Sequence, residues 1–138
     1  MEVGALYRQD GNCVFVLWGP KVDGVEVEFP AIGRSIAMAK DNQGYHRATV
    51  EDITLPGRYF YRFGDKHLPD PASRYQPQGV HATSEVVNHF VYNWGDCSWQ
   101  GIGLEELIIY ELHVGTFTKD GTFNAIEARL NELVDTGI

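Results

Sequence analysis

The stretch LIIYELHVGTFTKDGTF, residues 107–123, decides how the chain is read. Leu107, Ile108, Ile109, Tyr110, Leu112 and Val114 form an apolar run broken only by Glu111 and His113. A run apolar on both faces fits a central strand of a parallel sheet, which helices cover on each side. A polar turn follows, Thr118-Lys119-Asp120-Gly121. Then Phe123, Ile126, Leu130, Leu133 and Val134 recur at helical spacing, with Thr122 as N-cap and Gly137 as the C-terminal stop. The pattern predicts a strand, a loop and one helix over 122–136, the first half of a β-α-β unit. The expectation is the front end of a longer protein, cut just inside a second domain.

The residues before this unit read differently. CVFVLW at 13–18 is β-branched and aromatic and ends at Gly19-Pro20. Val25, Val27 and Phe29 alternate with Glu26 and Glu28, and Tyr59, Tyr61 and Phe63 alternate with Arg58, Phe60 and Arg62. Short strands are also expected at 5–7, around Ile36 and Met38, at 45–50, at 67–68 and at 84–87. Gly-, Asn-, Asp- and Pro-rich turns separate them at roughly ten-residue spacing, the pattern of an antiparallel β-sandwich of immunoglobulin-like shape. The chain is therefore read as mainly β.

Residues 69–81, PDPASRYQPQGVH, hold three prolines and one glycine and cannot pair inside a sheet. A flexible linker would be richer in Ser, Gly or charge. Arg74, Tyr75 and His81 suit an ordered path over a surface instead. Asp65 and Asp70 read as turn residues. Nineteen acidic against eleven basic residues give a net charge of −8, which argues against nucleic acid and anionic membranes as partners. The sequence shows neither a membrane span nor a signal peptide, so the expected location is cytoplasmic. Cys13 and Cys97 are too few for a disulfide scaffold and lack zinc spacing. The acidic residues show no calcium-loop spacing, so neither a metal nor a cofactor is expected.

Several segments together carry a resemblance: Gly4-Ala5; 15–20 ending in Trp-Gly-Pro; PGRYFY at 56–61; PDPASRYQPQGVH, the most specific; and YELHVGTFT at 110–118 with Gly121-Thr122-Phe123. On these the chain resembles the N-terminal portion of the maltooligosyltrehalose trehalohydrolase family, within the α-amylase superfamily. YELHVGTFT also resembles segments of glycogen branching and debranching enzymes. The chain departs from the family pattern at Gly19, where Ala is usual, at Tyr45, where Trp is usual, and at Ala82-Thr83. The resemblance implies an immunoglobulin-like, E-set-type sandwich over 1–92, classed with glycan-binding-like modules. A connecting loop over 93–106 and the start of a truncated (β/α)8 barrel over 107–138 would follow. It also implies an α-glucan or maltooligosyltrehalose as the full-length partner, with the missing barrel domain as the sandwich's other neighbour. The alternatives are the front end of a branching or debranching enzyme, or a stand-alone glycan-binding module.

Glycoside hydrolysis of this kind needs two flanking carboxylates at the C-terminal ends of barrel strands. The resemblance places them on later strands, so no catalytic residue is assigned within these 138 residues. Glu111 and His113, two apart, would share one strand face as a structural polar pair, with a metal role disfavoured for want of a third ligand. Trp94 and Trp99 are candidates for stacking on sugar rings, with interdomain docking as the equal alternative. Trp18 is expected to pack in the core. Arg74 and His81 fit a substrate rim or an interdomain clasp, and the clasp is preferred.

Overall fold

A computed structural model of the protein describes residues 2–138. The chain divides into two compact units, Met1–Asn93 and Trp94–Ile138.

The first unit is built from nine short strands: β1 (Gly4–Tyr7), β2 (Cys13–Trp18), β3 (Glu26–Phe29), β4 (Arg34–Ala37), β5 (Ala39–Lys40), β6 (Tyr45–Val50), β7 (Arg58–Phe63), β8 (Lys66–Leu68) and β9 (Ser84–Glu85). They form two sheets, ordered β1-β2-β6-β5 and β4-β3-β7-β8, with β9 also pairing with β7. Every ladder is antiparallel. β8 takes 61–63 of β7, and β9 takes Arg58 and Tyr59.

Alternation along the strands fills the space between the sheets. Cys13 and Phe15 of β2, Val27 and Phe29 of β3, Ala48 and Val50 of β6, and Tyr59 and Tyr61 of β7 join one buried cluster. The ring of Phe15 meets Phe29 and Tyr59 edge-on, with centroids 5.8 and 4.8 Å apart, so the sheets touch through aromatic edges. The alternation read from 25–29 and 57–63 is the one observed. Trp18 is a correction. It is 59% exposed rather than packed in the core. In β2 the odd positions point inward, so the sixth residue of the strand faces out.

The second unit differs from its expected form. Among the described residues, none of 107–113 enters a sheet ladder, and the first regular element there is α1 (Val114–Phe117). A strand exists only where its N–H and C=O groups find a neighbouring chain, and no described segment supplies one. The apolar run is accordingly not buried on two faces: Ile109 is 80% exposed, and Leu107, Ile108 and Tyr110 are exposed beside it.

The expected single helix over 122–136 is two short ones, α2 (Phe123–Glu127) and α3 (Leu130–Asp135). Between them Arg129 N–H donates to Ile126 O at 2.8 Å and Glu132 N–H to Arg129 O at 3.1 Å, tight three-residue bonds that break the α ladder. Only Ile126 is buried in these helices, and short helices without packed faces are marginal. The caps are as read. Thr122 Oγ1 accepts from Ala125 N–H at 3.3 Å. Gly137 sits at φ +90°, while Gly137 N–H donates to Val134 O and Ile138 N–H to Leu133 O, the paired bonds of a Schellman stop.

Candidate functional site

The outward faces of β2 and β6 carry the best-organised exposed side chains of the first unit. The register sets Trp18 directly opposite Tyr45 and Val16 opposite Arg47. Opposite residues on one face stand close enough for their side chains to interact. Each member is held by a turn. The indole Nε1–H of Trp18 donates to Gln43 O at 3.2 Å, and Gly19 N–H donates to Gly44 O at 2.9 Å. Gly44 has φ +85°, and a Cβ there would stand 2.6 Å from Pro20, so the two turns meet where only glycine fits.

Asp41 organises the other side. Its Oδ1 accepts from the backbone N–H groups of Gln43 and Tyr45, both at 2.9 Å, an Asx-type closure of the 41–45 turn. Its Oδ2 accepts from Arg47 Nη1 at 2.5 Å. Arg47 Cζ in turn lies 5.2 Å from the Tyr45 ring centroid, a cation–π arrangement. The Arg47 hydrogen bond, helped by the two backbone donors, holds the Asp41 carboxyl below the usual carboxylate range. The result is an exposed indole, a facing phenol ring, and a guanidinium–carboxylate pair on one sheet surface. Such a surface offers apolar ring faces with hydrogen-bonding groups alongside, which suits a pyranose better than a purely apolar or a purely charged ligand. A shallow cavity of about 240 Å³ continues past Trp18, bounded by Val3, Val16, Pro71 and Ala72.

A second cavity, of about 280 Å³, opens at the end of the first unit between Phe29, Ile32, Val50, Ile53, Leu55 and Arg58. Its lining is mainly apolar, and Arg58 is already engaged by Glu85 at 2.9 Å.

Asp70, a turn residue by its sequence, is buried at 3% exposure. Its carboxylate accepts from Tyr59 Oη at 2.6 Å, Tyr61 Oη at 3.3 Å and Ala72 N–H at 2.8 Å, while its own N–H donates to Ser84 Oγ at 3.0 Å. Burial, reinforced by the nearby carboxylate, pushes both tyrosine hydroxyls far above their ordinary range. The cluster is fully partnered and serves to anchor the proline-rich segment on the core. The spacing of two inward tyrosines and an acidic residue in the following segment was the available signal.

The residues singled out from the sequence fall in separate places. Arg74 Nη1 donates to Ala5 O at 3.1 Å and Nη2 to Glu2 at 2.8 Å, a clasp within the first unit. His81 is exposed on the same segment. Trp94 and Trp99 lie in the second unit and are 65% and 62% exposed. His113 is the residue before α1, with its Nδ1 3.3 Å from Thr116 Oγ1, and Glu111 is exposed. With no strand there, these two do not share the strand face that was expected. Among the described residues no group of three potential ligands could hold a metal, and no helix is long and apolar enough to cross a membrane.

Comparison with known proteins adds the decisive observation. No family model matches the sequence. The malto-oligosyltrehalose trehalohydrolase of Saccharolobus solfataricus is 39% identical over 140 residues, covering 100% of this chain and 24% of that protein. The chain is similar over its whole length to malto-oligosyltrehalose trehalohydrolases. That of Mycobacterium tuberculosis is 40% identical over 129 residues, 90% of this chain and 22% of the relative. A branching enzyme, GlgB of Pseudoalteromonas atlantica, matches less well, at 30% over 75% of this chain and 16% of that protein. Among solved structures, a candidate alpha amylase from Salmonella typhimurium superposes with a TM-score of 0.83 at 33% identity, over 99% of this chain and 23% of that one. The chain thus spans about a quarter of the length of the trehalohydrolases it matches.

Proposed function

We propose that the chain is the N-terminal accessory portion of a glycoside hydrolase that acts on α-glucans and releases trehalose from maltooligosyltrehalose. The observation that carries this is the 39% identity to a malto-oligosyltrehalose trehalohydrolase over all of this chain, against 30% over three quarters of it for a branching enzyme. In this reading residues 1–92 are an immunoglobulin-like sandwich and 93–106 a connecting loop. Residues 107–138 are the opening strand and helix of a (β/α)8 barrel. The support within residues 107–109 is compositional: Leu107, Ile108 and Ile109 are apolar yet exposed, and an apolar run of this kind needs neighbouring elements to cover it. Glu111 and His113 would then line the barrel interior as a structural pair. The catalytic carboxylates belong to later strands, so these 138 residues alone are expected to hydrolyse no glycoside. The setting is a cytoplasmic route of trehalose formation.

The deciding experiment incubates the full-length protein with maltooligosyltrehalose and analyses the products. Free trehalose supports the proposal. New branch points, or debranching without trehalose, would replace it with one of the alternatives.

A second reading is favoured by the Trp18–Tyr45 surface: the first unit also holds α-glucan directly. Arg74, clasped to Glu2 and Ala5, contributes to that role less than Trp18 does. His81 is an exposed candidate contact on the first unit, while Trp94 and Trp99, exposed on the second unit, are the alternative contacts to Trp18. Loss of the maltoheptaose response in Trp18→Ala, with Trp94→Phe and Trp99→Phe unaffected, assigns the surface to Trp18; the converse assigns it to the second unit.

A further inference from the structure

Lys40 belongs to β5, a strand of two residues paired to β6 only at Ala39↔Arg47 and Lys40↔His46. Its ammonium reaches away from that ladder. Nζ donates to Pro20 O at 3.0 Å, Val22 O at 2.8 Å and Asp23 Oδ1 at 2.7 Å. An ammonium has three donors, and all three are used on one turn. The 19–23 turn is also held by Gly19 N–H donating to Gly44 O at 2.9 Å, by Val22 N–H donating to Gly19 O at 3.2 Å, by Gly19 O facing His46 Nε2 at 3.0 Å, and by Val22 packing against the core. Lys40, however, supplies the three contacts to its distal part, Pro20, Val22 and Asp23. Asp23 is held below its ordinary carboxylate range, first by the Lys40 hydrogen bond and then by its charge.

The turn matters because Trp18 immediately precedes it, and Lys40 immediately precedes the 41–44 turn whose Gln43 carbonyl receives the Trp18 indole. Beside the Gly19 N–H to Gly44 O bond, this one side chain therefore fastens together the two turns that fix the indole. We infer that Lys40 is a positioning residue for the Trp18 surface, its ammonium holding the 19–23 turn against the 41–44 turn so that the indole face is presented to a linear α-1,4-linked glucan. This rests on the reading of that surface as a glucan-binding one.

Three acceptors converging on a point charge suit an ammonium and not a planar guanidinium. Lys40→Met keeps the aliphatic stem and removes all three bonds. Asp23→Asn, at an exposed side chain, weakens one of them and leaves folding intact. The test records amide hydrogen exchange at Gly19 and Val22 without sugar, then follows the Trp18 indole N–H signal by NMR during titration with maltoheptaose. In Lys40→Met, exchange at both amides is expected to rise about tenfold and maltoheptaose affinity to fall about tenfold, the size of one lost charge-assisted hydrogen bond. Asp23→Asn is expected to move both readings in the same direction by a smaller factor. Unchanged exchange in both variants overturns the fastening role whatever the sugar does. Raised exchange with wild-type affinity overturns the positioning role alone. A wild-type chain whose Trp18 signal ignores maltoheptaose overturns the glucan reading itself, and the exchange data then still decide the fastening of the turns.

Discussion

The hydroxyl of Tyr59 donates a 2.6 Å hydrogen bond to Asp70 Oδ2, joining the middle of the second sheet to the start of the proline-rich segment. Tyr61 donates to the same oxygen at 3.3 Å, and Ala72 N–H fills the other oxygen. Removing the carboxylate leaves two buried hydroxyls unpaired, which costs far more than the net worth of the bonds themselves. Asp70→Ala is expected to lower unfolding free energy by about 3 kcal/mol, and Asp70→Asn by about 1–2 kcal/mol, because the amide oxygen still accepts. Urea denaturation monitored by circular dichroism measures both. A loss under about 1 kcal/mol for Asp70→Ala would mean the cluster contributes little.

Alkali provides a second test. Desolvation pushes the Cys13 thiol up from 9.0 to about 12. A raised folded pKa means the unfolded chain releases its proton first, so stability is complete below about pH 9 and declines as pH rises toward 12. The slope is about 1.4 kcal/mol per pH unit per group. Tyr59 and Tyr61, also raised, add to the decline above pH 10.0. The melting temperature should therefore fall from pH 9 upward, and Cys13→Ala should delay the onset by about one unit. A native-state thiol titration should modify exposed Cys97 and spare Cys13. Equal reactivity of the two would contradict the burial of Cys13.

Trp18 projects from the outer face, and little of its packing is at stake. Trp18→Ala is expected to change stability by less than about 1 kcal/mol. The same substitution should abolish the spectroscopic response to maltoheptaose if the surface binds glucan. A large stability loss would instead return Trp18 to a packing role.

Gly44 and Gly24 separate conformational strain from collision. Both have positive φ, at +85° and +64°, but a Cβ at Gly44 meets Pro20 at 2.6 Å while one at Gly24 meets nothing within 4 Å. Gly24→Ala should cost about 1 kcal/mol from backbone strain alone, and Gly44→Ala about 3 kcal/mol or more. Thermal unfolding of the pair checks the ordering, and equal costs would show that the two turns part easily.

The β strands were readable because their faces differ. One face of β3 and β7 meets the core and the other meets water, so Val27 and Tyr61 alternate with Glu28 and Arg62 in the sequence itself. Trp18 misled because composition marks it as apolar while only its parity within β2 decides which way it points. Residues 107–114 carry the composition of a buried strand, but pairing is a relation between two segments and one segment cannot encode it alone. Asp70 looked like turn punctuation, since nothing local reveals that two tyrosines eleven and nine positions earlier in the chain converge on it. The Trp18–Tyr45 pairing needed the β2–β6 register, and the grip of Lys40 on a turn some twenty residues earlier needed the folded path of both turns.

The Asp70 N–H to Ser84 Oγ bond and the Glu85 N–H to Tyr75 O bond fasten residues 70 and 75 of the proline-rich excursion to β9, which itself pairs with Arg58 and Tyr59 of β7. The excursion's apex around Gln78 and Gly79 is held by local bonds, Gly79 N–H to Gln76 O and Ala82 N–H to Gly79 O, and a Cβ at Gly79 would meet nothing within 4 Å. Extra residues spliced in at Gly79 would lengthen the excursion without shifting either anchor. That makes this tip a natural insertion point for a reporter peptide.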